Sequence, residues 1–327
     1  MLAGWYERCG PADDVITIGE APTPAPGPGE VLVRLKASGI NPSDYKRRGN
    51  TKAPIEYPRV IPHSDGAGIV AAVGAGVSRF RAGERVWVYH AQWGRPNGTA
   101  AEFVALPEAL VQPLPDSVSF EQGACLGIPS MTGYRCAMGG GSVAGKTVYV
   151  PAAAGRVGAY AIQFAKLGGA RVIASASGAA KLETARAIGA DVAIDRNDPD
   201  LARKLLDETG GRGVDRIVEI DLPGNIAFDE SVLADGGSIA TYGSSPKPQA
   251  VLTLSPRRAR NFELQVVFIY TLAPDLAQAT CDAIVAATES GKLVHRIAGV
   301  VPLTELARAH REAESQTGSG HMIVSIA

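Results

Sequence analysis

From about Phe120 to Tyr270 the sequence alternates short apolar runs with stretches that have helical spacing. The run TVYVP precedes GAYAIQFAKLGG, for example, and RVIASAS precedes AAKLETARAIGA. This alternation predicts parallel strands joined by helices, because parallel neighbours need a long crossover connection. Six strand runs with four crossover helices predict an α/β fold with a doubly wound, parallel six-stranded sheet.

The strand TVYVP leads into a turn of small residues and then directly into a helix. Small residues let the backbone approach a pyrophosphate, and the N-terminus of the next helix attracts the anion. The turn therefore predicts a Rossmann dinucleotide-binding domain, which we place at residues 121–272; a tight packing turn is the alternative. The candidate cofactor-binding residues of the turn are Ala154, Gly155, Arg156, Val157 and Gly158.

The end of the second strand of this series indicates which dinucleotide binds. An NAD site places a carboxylate there, about 20 residues after the turn, for the ribose hydroxyls. This segment has none and carries Ser175, Ser177 and Lys181 instead. A lysine at a helix start neutralises a 2′-phosphate, so the prediction is NADPH. The alternative is that Lys181 is a solvated helix residue, since lysine lacks the fork geometry of arginine.

The first third of the chain has a different pattern, in which short β-rich runs are separated by Gly and Pro. It predicts a β-barrel-like domain over residues 1–120. The chain ends in the apolar run MIVSIA, which needs a partner sheet. We assign residues 273–327 to the first domain, so that the dinucleotide-binding domain is an insertion in it.

Charge and composition limit the partners of the protein. The net charge is −1 and no Lys/Arg block occurs, which argues against binding to nucleic acid or an anionic membrane. No signal-peptide pattern and no apolar run of membrane-spanning length is present, so a cytoplasmic location is expected. The four cysteines are dispersed and predict neither disulfides nor a structural zinc site.

Several segments together resemble one known family, and they extend along essentially the whole chain. They are PGPGEVLVRLKASGINPSD (26–44), PHSDGAGIVAAVGAGVSRFRAGERVWV (62–88), LGIPSMTGY (126–134), the turn at 152–158 and GADVAID (189–195). The chain resembles the zinc-free NADPH:quinone oxidoreductase (zeta-crystallin-like) branch of the medium-chain dehydrogenase/reductase superfamily. The resemblance implies that the first domain is a GroES-like β-barrel catalytic domain.

The zinc-dependent alcohol dehydrogenases of that superfamily carry ligands that this chain lacks. They place a Cys in the segment that reads GINPSD here and a His-Glu pair where Ser64 and Asp65 stand. Asn41 occupies the first position, and His63 is one residue out of register. Catalytic zinc needs three protein ligands, so no metal site is expected.

The resemblance also assigns cofactor contacts. It places Asn41 beside the nicotinamide, Thr132 near the cofactor, and Ser175, Ser177 and Lys181 at the adenosine phosphate. It further implies that the residues near the nicotinamide include Tyr242, Gly243, Ser244 and a strand with Phe268, Ile269 and Tyr270. The chain departs from the family at two positions. Lys46 stands where the branch commonly has an active-site Tyr, and Asp195 stands where it often has a Tyr near the 2′-phosphate.

The remaining candidates concern the substrate. Tyr45 or Lys46 is the expected proton donor, together with Asn41 as a catalytic group, and the choice between the two depends on geometry. His90 and Trp93 follow a strand in a Gly/Pro/Asn-rich loop and are candidates for the substrate pocket. Asp65 is expected to stabilise a turn. Glu219 ends a central strand and lies either at a ligand or against the next loop.

These residues predict an enzyme that transfers hydride from NADPH to a quinone. An α,β-unsaturated carbonyl is the alternative acceptor, and an NADPH-binding protein without turnover is the alternative of another class. The apolar run FELQVVFIY at the sheet edge is long enough to pair with a second copy. A homodimer through this strand is therefore expected, unless a loop covers the edge.

Overall fold

The chain folds as two units, the first of which is made of two separate segments. The computed structural model describes residues 1–243, 249–252, 261–315 and 320–327. Unit 1 comprises Met1–Pro129 and Ala273–Ala327, and unit 2 comprises Ser130–Leu272. Residues 121–129, which the sequence pattern assigns to the second domain, lie in unit 1. Within the described ranges, none of the helices is long and apolar enough to cross a membrane.

The regular elements are numbered here in chain order. The strands are β1 (Leu2–Trp5), β2 (Thr17–Glu20), β3 (Glu30–Gly39), β4 (Asp65–Val73), β5 (Arg85–Val88), β6 (Phe103–Pro107), β7 (Val111–Pro113), β8 (Thr147–Val150), β9 (Arg171–Ala176), β10 (Val192–Asp195), β11 (Val214–Glu219), β12 (Leu233–Thr241), β13 (Glu263–Val266), β14 (Ile297–Pro302) and β15 (His321–Ser325). The helices are α1 (Ala12–Val15), α2 (Pro42–Gly49), α3 (Phe120–Gly123), α4 (Ile128–Met138), α5 (Arg156–Leu167), α6 (Ala179–Ala187), α7 (Leu201–Asp207), α8 (Leu222–Val232), α9 (Pro274–Glu289) and α10 (Leu306–Ser315).

Unit 1 is built on a sheet with the strand order β14-β15-β3-β4-β5-β7, and β6 also pairs with β3. All pairs in this sheet are antiparallel except β14 with β15. Val31, Val33 and Leu35 alternate along β3 and are fully buried, as expected for a strand with one face on the core. The chain's last strand, β15, pairs with β3, so the C-terminal segment completes the sheet of unit 1.

Unit 2 has a six-stranded sheet in the order β10-β9-β8-β11-β12-β13, and every pair in it is parallel. Helices α5 to α8 connect its first five strands in sequence. The fold-class prediction is confirmed. The strand order reverses between β8 and β11, and ligands of open α/β sheets bind outside the carboxyl ends of the strands at such a point.

The run FELQVVFIY differs from its prediction. A strand near Phe268, Ile269 and Tyr270 was expected, but β13 ends at Val266 and a short 3₁₀ helix covers Ile269–Thr271. The reason lies in the neighbouring strand: β12 ends at Thr241, which pairs with Val266, and the Val267 N–H makes a last bond to the Thr241 carbonyl. Beyond that point the described residues offer no neighbouring strand with which the run could pair.

Candidate functional site

Asn41 lies at the N-terminus of α2, where the local sequence explains its position. Pro42 occupies the first helical position, and the Asp44 carboxylate accepts a hydrogen bond of 2.7 Å from the Asn41 backbone N–H. Asn as the N-cap, Pro at the first position and an acidic third residue are a strong helix start. Asn41 and Asp44 are both buried. The backbone of Asn41 is therefore held by its own helix.

The side chain of Asn41 is held by Asp65, the first residue of β4. The Asn41 Nδ2 donates to Asp65 Oδ2 at 2.7 Å, and the Ile128 N–H donates to the same oxygen at 2.9 Å. A Cβ on Gly127 would lie 2.0 Å from Asp65 Oδ1, so this approach requires glycine. Burial raises the pKa of Asp65 well above its usual range. Asp65 thus orients the Asn41 amide as well as bonding a backbone N–H.

Tyr45 and Lys46 line a cavity of about 760 Å³ at the C-terminal half of α2, named here the α2 cavity. Its other charged lining residues are Arg48, Lys52 and Glu314. Tyr45 is buried, whereas Lys46 is exposed. Both candidates for the proton donor therefore border the same space.

The loop after β5, which carries His90 and Trp93, is anchored to two other elements of unit 1. The Ala91 N–H donates to the Ser64 carbonyl at 3.0 Å, next to Asp65. Arg47 of α2 donates to Gln92 Oε1 at 2.5 Å, and its guanidinium lies 5.7 Å from the centre of the Trp93 ring. These bonds bring the loop together with α2 and the start of β4.

His90 and Trp93 themselves have different environments. His90 is buried and has a left-handed backbone with φ of 53°. Burial lowers the pKa of His90 to about 3, so its ring is neutral at ordinary pH. Trp93 is 38% exposed. Trp93 is therefore the residue of this pair whose ring is open to solvent in unit 1.

A buried chain of hydrogen bonds, which the sequence patterns do not predict, leads away from Asp65. His310 Nε2 is 3.0 Å from His63 Nε2, and His63 Nδ1 is 2.8 Å from Ser38 Oγ. Ser38 Oγ is 2.7 Å from Thr99 Oγ1, which donates to the Asp65 carbonyl at 2.7 Å. The four side chains come from distant parts of the chain, so no local spacing could reveal the cluster.

In unit 2, the turn between β8 and α5 has the geometry of an anion site. Gly155 is the N-cap of α5 without a side-chain cap, and its N–H donates to the Ala152 carbonyl at 2.9 Å. Ala152 has a φ of 53°, and a Cβ on Gly158 would lie 2.6 Å from the Ala152 carbonyl oxygen. The turn is thus held tightly against a 12-residue helix. The residues present fit a dinucleotide pyrophosphate at this N-terminus.

The predicted adenosine-phosphate residues follow β9. Ser175 is 1% exposed, and its Oγ is 2.8 Å from the Tyr149 hydroxyl. Ser177 is half-buried, and Lys181 is exposed in the first turns of α6. The Ser175 hydroxyl is therefore engaged inside the unit, whereas Ser177 and Lys181 reach the surface beyond the strand end.

Glu219 ends β11 and contacts the loop that follows. Its Oε1 accepts from the Asp221 N–H at 2.5 Å and from Asn225 Nδ2 at 2.9 Å. Burial and the neighbouring Glu219 raise the pKa of Asp229, which is fully buried on α8. Glu219 was expected either to lie at a ligand or to contact the next loop. These hydrogen bonds favour the contact with the loop.

The other predicted cofactor residues lie at different points of unit 2. Thr132 is buried on α4, and the Tyr242 N–H donates to the Glu219 carbonyl at 2.9 Å. Gly243 has a φ of 85°, and the Phe268 and Tyr270 rings lie 5.2 Å apart. Ser244 lies outside the described residues. Across the described part of the chain, no group of three or more His, Cys, Asp or Glu side chains is placed to hold a metal ion.

Comparison with known families and proteins matches both units. The alcohol dehydrogenase GroES-like domain matches residues 27–116, and the zinc-binding dehydrogenase family matches residues 157–286. Quinone oxidoreductase of Pseudomonas aeruginosa is 32% identical over 306 residues, which cover 91% of this chain and 92% of that protein. Quinone oxidoreductase of Homo sapiens is 29% identical over 305 residues, which cover 92% of this chain and 90% of that protein.

Solved structures give the same result. The quinone oxidoreductase of Pseudomonas syringae pv. tomato superposes with a TM-score of 0.86 at 28% identity, covering 99% of both chains. A mycobacterial protein in complex with NADPH superposes with a TM-score of 0.85 at 27% identity, covering 100% of both chains.

The fold, the two domains and these relatives define a two-domain oxidoreductase enzyme. The chain belongs to the quinone oxidoreductase branch of the medium-chain dehydrogenase/reductase superfamily, which confirms the resemblance found in its sequence.

Proposed function

We propose that this enzyme transfers hydride from NADPH to a quinone without a catalytic zinc ion. The observation that carries the proposal is the buried Asn41 side chain, which Asp65 holds by a 2.7 Å hydrogen bond. In the zinc-dependent relatives a Cys ligand occupies the Asn41 position. A fixed amide polarises or orients a carbonyl but is no substitute for a thiolate ligand. An α,β-unsaturated carbonyl is the second acceptor class, because it also takes hydride without a Lewis acid.

The choice of NADPH is supported by the end of β9. Lys181 is exposed there, and Ser177 lies four residues before it. No carboxylate occurs between Ser175 and Lys181 to bind ribose hydroxyls or repel a phosphate. The mycobacterial structure that superposes on this chain contains NADPH.

In this proposal the bound dinucleotide supplies two electrons and one hydrogen as hydride. The chain's own residues orient the acceptor and supply the proton that completes reduction of a quinone to a hydroquinone. Asp65 ties the Asn41 NH₂ group, so the amide has one orientation. Tyr45 and Lys46 are the two candidates for the proton donor, since both border the α2 cavity.

The test is consumption of NADPH and NADH with 1,4-benzoquinone, 9,10-phenanthrenequinone and a simple enone, with EDTA present throughout. We expect EDTA-resistant turnover that prefers NADPH. The Asn41→Ala variant should lose about 100- to 1,000-fold in kcat, the range expected for one positioned hydrogen-bond donor. Asn197→Ala removes an exposed Asn and serves as the control. Turnover that EDTA abolishes would contradict the proposal.

An NADPH-binding protein without turnover is the alternative of another class. It is motivated by Lys46 and Asp195, which stand where the branch commonly has Tyr. Tight NADPH binding with no oxidation across the whole acceptor panel would favour it. A homodimer through β13 is part of the main proposal, and the cytoplasmic location stays a prediction from the sequence.

A further inference from the structure

The carboxyl group of Asp65 uses its two oxygens unequally. Oδ2 accepts hydrogen bonds from Asn41 Nδ2 at 2.7 Å and from the Ile128 N–H at 2.9 Å. Oδ1 is buried and has no hydrogen-bond partner among the described residues. It faces the backbone of Gly127, where a Cβ would lie 2.0 Å from it. One oxygen therefore serves two donors, and the other lies in surroundings that offer it none.

The groups packed around Asp65 do not compensate a negative charge on it. Asp44 on α2 is a second acid, and its charge opposes ionisation of Asp65. His63 and His90 lie before and beside Asp65, and burial lowers the pKa of each to about 3, so both rings are neutral. Strand β3, the loop around Thr99 and the start of α4 contribute hydroxyl and backbone groups. Within the described part of the chain, no Lys or Arg side chain pairs with Asp65.

The position of a proton on Asp65 follows from these contacts. A buried carboxylate oxygen without a donor is costly, and a proton removes the charge. Burial accordingly raises the pKa of this carboxyl well above its usual range. Because Oδ2 accepts the Ile128 N–H, it is the carbonyl oxygen of the neutral acid, and the proton belongs on Oδ1. Asn41 then donates one N–H of its amide to Oδ2, which leaves the second N–H for a bound molecule.

We propose that Asp65 is a positioning residue that keeps its proton during turnover, so that Asn41 directs its second N–H at the acceptor oxygen beside an uncharged partner. The inference rests on the proposed function, in which Asn41 polarises the acceptor. Hydride addition to a quinone places negative charge on an acceptor oxygen, and an N–H donor stabilises that charge. An ionised Asp65, one hydrogen bond from Asn41, would oppose it. The proton that completes the hydroquinone comes from another group, Tyr45 or Lys46 in the proposed function.

Infrared difference spectra of the whole enzyme test the proton directly. The wild-type minus Asp65→Asn spectrum at neutral pH should contain the C=O stretching band of a protonated carboxylic acid. The subtraction is needed because Asp229, whose pKa burial raises to about 9, contributes a band of its own. Asp14→Asn changes an exposed aspartate of the same unit, and its difference spectrum should lack the band. Absence of the band from the Asp65→Asn difference would overturn the inference.

Kinetics with NADPH, 1,4-benzoquinone and EDTA test the positioning role. Asp65→Ala removes the acceptor that orients Asn41 and should lower kcat about 100-fold, the effect of a misplaced group in the site. Asp65→Asn should recover most of that loss and come within about fivefold of the wild-type kcat, because its amide oxygen accepts the same two N–H groups. NADPH titration establishes that both variants are folded.

The outcomes separate this inference from the function on which it rests. A kcat of Asp65→Asn as low as the value expected for Asp65→Ala, with NADPH binding intact, would show that Asp65 acts through its charge or its proton, and would overturn the inference. This comparison with the wild type holds even where Asp65→Ala does not fold. Absence of turnover in the wild type would instead remove the proposed function, and the infrared band would still report the proton on Asp65.

Discussion

His63 and His310 form a buried pair whose proton positions follow from one carbonyl. Because the Asp65 carbonyl only accepts, Thr99 must donate to it, and Ser38 must then donate to Thr99. His63 therefore donates through Nδ1 to Ser38 and accepts at Nε2 from His310. Both rings are neutral in this arrangement. The backbone of His63 has a φ of 76°, in the left-handed region that favours glycine.

This pair predicts a fall in stability at acidic pH. Burial lowers the pKa of His63 to about 3, whereas an unfolded histidine titrates at about 6.5. The unfolded state therefore binds the extra proton first, and the free energy of unfolding drops as pH falls below about 6.5. His63→Gly, which suits the backbone angle, should make the drop between pH 7.5 and 5 smaller by about 2 kcal/mol. Urea unfolding at the two pH values measures it.

Ser38→Ala is the control for the histidine prediction. It removes a hydrogen bond from the same chain without removing a titrating group, so it should cost about 1 kcal/mol at both pH values. An identical pH dependence in His63→Gly and the wild type would show that the buried pair does not cause the acid sensitivity.

The turn between β8 and α5 depends on close contact between a strand end and a helix. A side chain at Gly158 would meet the Ala152 carbonyl and move the first turn of α5 away from the strand. Gly158→Val should therefore weaken NADPH binding more than tenfold, because the N–H groups of that turn are proposed to bind the pyrophosphate. A tenfold change in Kd corresponds to about 1.4 kcal/mol of binding free energy. Fluorescence titration with NADPH measures the change.

Ala187→Val is the matched control for this helix substitution. Ala187 is exposed at the end of α6 in the same unit, so the added methyl groups should leave NADPH affinity unchanged. If Gly158→Val binds NADPH as tightly as the wild type, the cofactor does not use this turn.

In the described part of the chain, β13 is the edge strand of the unit 2 sheet, and we expect the enzyme to assemble through it. Three apolar residues at alternate positions, Leu264, Val266 and Phe268, are exposed, Val266 to 72%. An apolar strand edge of this kind pairs with another copy or aggregates. We expect a homodimer that Val266→Asp converts to a monomer, because each copy would bring a buried carboxylate to the shared edge. Light scattering after size-exclusion chromatography gives the mass.

Val73→Asp distinguishes an edge effect from a general effect of added charge. Val73 ends β4 in unit 1 and is 39% exposed, so this variant should stay dimeric. A wild-type protein that is monomeric at all concentrations would contradict the prediction.

The local sequence was sufficient to predict those features that depend on residues close together along the chain. The alternation of strand and helix predicts the parallel sheet, since each crossover is short and its apolar period is local. The start of α2 is also decided locally, because the N-cap Asn41 and its acidic partner Asp44 are three residues apart, although no helix was predicted there. The turn before α5 is likewise contained within seven residues, and family resemblance supplied the role of Asn41.

Contacts between segments that are distant along the chain could be identified only from the tertiary structure. Asp65 holds Asn41 across 24 residues, and His310 meets His63 across 247. The extent of β13 was decided by where β12 ends, which the apolar run 262–270 does not encode. Hydrophobic period and capping act over a few residues, whereas the partner of a buried polar group depends on how the whole chain closes around it.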